Sequence, residues 1–142
     1  MSQEIPLTFT EEKEALAVEK RNFLRLLLTA MRPHQWVKNL FIFAPLLFGR
    51  KLFEVSAVIN SLSAFAIFCL LSSGLYIFND VVDAEEDRAH PKKRFRPVSS
   101  GALSVPAALF SAALLVGVAF AAAFAINLNL FLISALYFAL TI

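Results

Sequence analysis

The chain has 142 residues, 58% of them hydrophobic and 17% charged, and its mean hydropathy is +0.69. A water-soluble domain carries about 45–50% apolar and about 25% charged residues, so this composition excludes an ordinary soluble globule. A net charge of +2 is too small to argue for nucleic acid, and a single cysteine, Cys69, excludes an internal disulfide.

Met1 to about Thr10 reads as a tail, polar and acidic, without the basic start and cleavage pattern of a signal peptide. Thr10 to Met31 reads as a helix, with Thr10, Glu11, Glu12 and Glu14 suited to a capped N-terminus. Phe23, Leu24, Leu27 and Leu28 then form an apolar stripe beside Lys20, Arg21 and Arg25. Two readings stay open for it: a helix lying on an anionic membrane surface, or an amphipathic packing helix. Residues 1–31 are thus set apart as tail and interfacial helix, and 32–142 as a transmembrane domain.

Pro33 ends that helix. The polar run RPHQWVKN, Arg32 to Asn39, opens a first apolar block over 36–49. It is short for a span and holds Pro45, so a kinked or re-entrant helix is expected. A second block runs over 55–79, enough to cross with tilt. A charged segment follows, then a turn at Pro97 to Gly101. The third block spans 105–126, with Pro106 in a first helical turn. Asn127 and Asn129 mark a turn, and a fourth block covers 130–142. The expectation is an all-α integral membrane bundle with three spans and a fourth cut after about thirteen residues, short of the about twenty a span needs, so the chain reads as truncated or as one piece of a larger bundle. Both basic flanks, Lys20–Lys38 and Arg88–Arg96, fall on one side, which the distribution of cations makes cytoplasmic; Arg50 and Lys51 on the other side are outnumbered.

The charged segment, NDVVDAEEDRAHPKKRFRP from Asn79 to Pro97, packs five acidic and five basic residues into nineteen positions. Val55 to Phe78 before it and Val98 onward carry no charge. Ionisable groups packed against a lipid-spanning segment are costly, and a functional site is the default reading. At about 100° per residue, Asp80, Asp83 and Asp87 fall within an arc of roughly 60°, as oxygen ligands of a hard divalent cation must. With Asn79 they form a candidate Mg²⁺ set against a diphosphate. Arg88, Lys92, Lys93, Arg94 and Arg96 are candidate phosphate partners. Lys38 either snorkels to headgroups or turns inward to an anionic substrate, the inward option being favoured by polar His34, Gln35 and Asn39. Tyr76, one turn before Asp80, and Asn39 are candidate cavity-lining groups. His90 also borders the site, as a local hydrogen-bonding residue rather than a catalytic base. The bland alternative is a cytoplasmic basic loop with internal ion pairs of little worth.

At these residues the chain resembles the UbiA superfamily of intramembrane prenyltransferases. NDVVDAEED, Asn79 to Asp87, matches that family's first aspartate-rich motif, N-D-x-x-D-x-x-x-D, and follows the second span as in the family. RPHQWVKN together with DRAHPKKRFRP is similar to the decaprenyl-phosphate phosphoribosyltransferase-like branch. The resemblance covers about Arg32 to Ile142. It implies Mg²⁺ held by Asn79, Asp80, Asp83 and Asp87, donor phosphates on Lys92, Lys93, Arg94 and Arg96, and the lipid phosphate near Lys38. The implied reaction moves phosphoribose from phosphoribosyl diphosphate to a polyprenyl phosphate in cell-wall precursor synthesis, in a bacterial inner membrane. No protein nucleophile is implied. The family has further spans and a second aspartate-rich motif, so the resemblance also implies that these residues alone are an inactive part. Two rivals stay open: an aromatic prenyltransferase using a prenyl diphosphate donor, and a non-enzymatic membrane protein.

Overall fold

The computed structural model describes residues 22–141. The expected tail and the start of the first helix, residues 1–21, lie outside the described residues. Every described element is helical: α1 Asn22–Met31, a 3-10 helix Pro33–Phe43, α2 Ala44–Phe48, α3 Val55–Val82, α4 Ala84–Ala89, a short 3-10 turn Lys93–Phe95, α5 Val105–Ile126 and α6 Leu128–Thr141.

α3 and α5 are long and apolar enough to cross a bilayer, with mean hydropathies of 2.0 and 2.5. Only 22% of each apolar window is buried within the chain, unlike the core helix of a soluble protein. Phe110, Leu114, Val118 and Phe124 project outward from α5. The two helices pack antiparallel: Ile67 and Leu71 meet Ala119 and Ala123, while Ile77, together with Ala84 of α4, packs with Ala108 and Ala112. Small residues let the backbones approach. At Gly74 there is no room for a side chain: a Cβ would stand 2.7 Å from Val116 Cγ2 and 3.1 Å from the Ala112 carbonyl. α6 folds back on this pair through Phe131, Tyr137 and Phe138. The Phe68 and Tyr137 rings stand 5.0 Å apart.

The first apolar block is not one kinked α-helix. Eleven residues, Pro33–Phe43, wind as a 3-10 helix before α2. Runs beyond 3–4 residues are uncommon, so something must hold this one. The contacts with α3 do. The Trp36 indole N–H donates to Ser73 Oγ at 3.0 Å, Asn39 Nδ2 to Ser72 Oγ at 3.4 Å and Cys69 Sγ at 3.5 Å, and the Phe43 and Phe65 rings lie 5.4 Å apart. A 3-10 turn rises about 6 Å in three residues, and four α-helical residues rise about the same. Every third residue of one element therefore keeps step with every fourth of the other. Ser73 also donates to the Met31 carbonyl at 3.2 Å, pinning the end of α1.

Two boundaries differ from the sequence expectation. α3 continues through Asn79 and Asp80 to Val82, because backbone hydrogen bonding does not stop where hydropathy does. The last turn before α6 is a single extended residue, Asn127, whose Oδ1 accepts from the Leu130 N–H at 2.8 Å. Asn129 is helical.

Candidate anion-binding site

α3 delivers Asp80 to its C-terminal end, and α4 delivers Asp87. Both are 1% exposed. The Asp83 N–H bonds to the Asn79 carbonyl at 2.9 Å and the Asp87 N–H to the Asp83 carbonyl at 2.8 Å, so helical phase carries across the junction. Seven residues are two turns, which leaves Asp80 and Asp87 only about 20° apart, with Asp83 about 60° to one side of Asp80. That offset decides the outcome. Asp80 and Asp87 turn inward, whereas Asp83 and Asn79 are exposed. The expected face of three carboxylates is realised as a pair.

Buried carboxylates require partners. Arg96 Nη1 donates to Asp80 at 3.3 Å and to Asp87 at 2.5 Å. Arg32 donates a further hydrogen bond to Asp80, and Lys93 Nζ lies 3.4 Å from Asp87. Three cations thus surround two anions, leaving the cluster positive. Among the described residues, no three His, Cys, Asp or Glu side chains come together in an arrangement that could hold a metal ion. As paired here, Asn79, Asp80, Asp83 and Asp87 do not fit Mg²⁺.

Beside this cluster lies a cavity of about 370 Å³ lined by Thr29, Arg32, His34, Asp80, Lys92 and Arg96, with Phe95 and Pro97. Pro97 and Val98 are buried, and the Leu103 N–H bonds to the Pro97 carbonyl at 2.8 Å, so the loop that carries Arg96 is a fixed wall. Gly101, at φ +78°, makes the tight turn this needs.

Several candidates take other places. Lys38 is exposed and does not line the cavity; triangular winding turns Trp36 and Asn39 to α3 and leaves Lys38 between faces. Arg88 Nε donates to the Ser99 carbonyl at 3.3 Å. Arg94 sits over the Phe95 ring at 4.8 Å. Asn39 is spent on α3. His90 Nδ1 accepts from the Lys92 and Lys93 N–H groups, both at 3.2 Å, and holds their turn. The Tyr76 ring lies 5.2 Å under the Arg32 guanidinium.

Arg32 is the residue the sequence reading passed over. Its φ of 53° and ψ of 61° are left-handed, which costs a non-glycine residue of order 1–3 kcal/mol. Pro33 disfavours the right-handed alternative. The Asp80 pair and the Tyr76 stack hold it there. The missed signal was electrostatic: a buried carboxylate at the end of a span requires a cation from another element, and Arg32 begins the facing one.

Two apolar helices of spanning length, with a cation-rich cavity at the end of one of them, define a helical integral membrane protein. The chain belongs to the UbiA prenyltransferase family, whose profile matches residues 40–142. It is 37% identical over 134 residues to the decaprenyl-phosphate phosphoribosyltransferase of Mycolicibacterium smegmatis, covering 92% of this chain and 42% of that protein. It is 40% identical over 125 residues to the Mycobacterium tuberculosis protein of the same name, covering 84% and 41%. Nodulation protein NoeC of Azorhizobium caulinodans is 38% identical over 113 residues, covering 80% and 36%. The chain spans between 25% and 42% of the length of the curated relatives it matches.

Proposed function

We propose that this chain carries the donor-diphosphate site of an intramembrane transferase, moving phosphoribose from phosphoribosyl diphosphate to a polyprenyl phosphate. The carrying observation is the cavity that gathers Arg32, Lys92 and Arg96 at the end of α3. Guanidinium and ammonium groups hold diphosphate oxygens and stabilise the charge that grows on diphosphate as it leaves. The lipid phosphate itself is the nucleophile: its oxygen bonds to the anomeric carbon as the bond to diphosphate breaks. The protein contributes positioning and charge, with no covalent intermediate. An apolar cavity of about 360 Å³ between Gly74, Phe78, Ala112 and Val116 supports a lipid acceptor, since it opens along the same helix less than two turns away. The relatives named decaprenyl-phosphate phosphoribosyltransferase support the choice of substrates. The excess of cations at Arg88–Arg96 supports a cytoplasmic face for this end, in a bacterial inner membrane.

The test is equilibrium binding of labelled phosphoribosyl diphosphate to the protein in lipid nanodiscs. Saturable binding, displaced by inorganic diphosphate and weakened about tenfold or more by Arg32→Ala or Lys92→Ala, is the expected result. Tighter binding of a prenyl diphosphate would transfer the assignment to the aromatic prenyltransferase reading. Absence of binding by either donor would leave the loop a topology signal.

A further inference from the structure

At the end of the bundle away from the anion-binding cavity, a second cleft of about 290 Å³ opens. Ile42 and Pro45 bring the 3-10 helix and α2 to it, Asn60 and Ser61 bring α3, and Asn127 and Leu130 bring the turn into α6. Small-molecule sites begin at roughly 300 Å³, so the cleft has room for part of a large ligand rather than the whole. Its depth is set by α3. At about 1.5 Å per residue, Asn60 and Asp80 stand about 30 Å apart along that helix. The hydrocarbon core of a bilayer is about 30 Å thick. With Asp80 and its cations at one water boundary, Asn60 lies at the other.

The polar groups of this cleft are neutral; no charged side chain lines it. Ser72 and Ser111 satisfy their hydroxyls on carbonyls of their own helices, at 3.1 and 2.8 Å. Among the described residues, none takes up the Asn60 amide or the Ser61 hydroxyl. Asn127 accepts the Leu130 N–H through Oδ1 and keeps its Nδ2 as a donor. Polar groups at the edge of hydrocarbon require partners. We propose that this cleft holds one diacyl glycerophospholipid from the leaflet opposite the anion-binding cavity, its ester carbonyls accepting from Asn60, Ser61 and Asn127 and one acyl chain lying against Ile42 and Leu130. Ester carbonyls sit at the boundary between headgroup and hydrocarbon, the depth at which these donors stand. A polyprenyl phosphate does not fit, because it has no ester carbonyl and its phosphate would find no cation among the lining residues. Near the anion-binding cavity, Trp36 and Asn39 tie the 3-10 helix to α3. The lipid does the same at the far end, joining Ile42 and Pro45 to α6.

The test compares two lipids on the delipidated protein in detergent micelles: dioleoyl phosphatidylcholine, and its diether analogue with the same headgroup and chains but no carbonyls. The diester is expected to raise the melting temperature saturably by several degrees, and the diether by less than about half as much. Asn60→Leu replaces the amide with an apolar group of similar size, and the two lipids should then act alike. Ser61→Ala removes a single hydroxyl and should narrow the difference; it carries the comparison if the Leu variant does not fold. Equal rises from both lipids in wild type, or a difference undiminished in both variants, overturn the lipid site. No rise from either lipid means that water or protein fills the cleft, and overturns it as well.

Discussion

One nitrogen of Arg96 meets two carboxylates, and both carboxylates keep a second cation: Arg32 for Asp80, Lys93 for Asp87. Removing one partner of a buried pair costs about 3–5 kcal/mol when the other charge is stranded. Here neither is wholly stranded, so Arg96→Met is expected near the lower end of that range, read by denaturant unfolding in detergent micelles. Exposed Arg94 makes no ion pair among the described residues, so Arg94→Ala should shift stability by under about 0.5 kcal/mol. Equal losses from the two variants would show the bridge to be of no structural weight. The candidate site was partly legible at this scale. Asp80, Asp87, Lys92, Lys93 and Arg96 stand out because charge beside a span is conspicuous. Arg32 did not, because its role comes from pairing across 48 residues of chain and from a left-handed backbone that no local pattern announces. Lys38 looked inward by the company of polar neighbours, but Asn39 is taken up by α3 and His34 lines the cavity while Lys38 itself is exposed.

Among elements, α5 was readable to the residue, since Pro106 sits in its first turn and Asn127 closes it. The 3-10 helix was not readable, because its stability comes from step-matching with α3 rather than from its own composition. Two changes probe the elements. Gly74→Leu must push Val116 and the Ala112 carbonyl aside where α3 and α5 cross, an overpacking cost of typically 1–3 kcal/mol or more. A lowered melting temperature in micelles is expected, with Gly117→Leu, whose added Cβ meets nothing, as the control. Asn127→Ala deletes the side-chain acceptor at the start of α6 and should cost about 1 kcal/mol. Hydrogen exchange at Leu130 would report it; unchanged exchange there would show that α6 is held by its aromatic packing alone.

Across the whole molecule, antiparallel α3 and α5 place Arg50 and Asn127 at one end and Arg32, Asp80 and Arg96 at the other. The proposed orientation predicts which end meets the cytoplasm. With Cys69 replaced by Ala, a cysteine at Arg94 should resist a membrane-impermeant maleimide in intact cells and react once the membrane is opened. A cysteine at Arg50 should react in intact cells. Reversed labelling would invert the orientation.

The triangular winding of Pro33–Phe43 has a consequence for how this chain tolerates length change. Losing one residue from it rotates everything beyond by about 120°. Trp36 and Asn39 would then no longer look the same way. Removing three restores the heading and only shortens the reach. In this stretch, insertions and deletions should therefore survive in triplets of residues, whereas an ordinary α-helical hairpin would favour steps of three or four, or of seven.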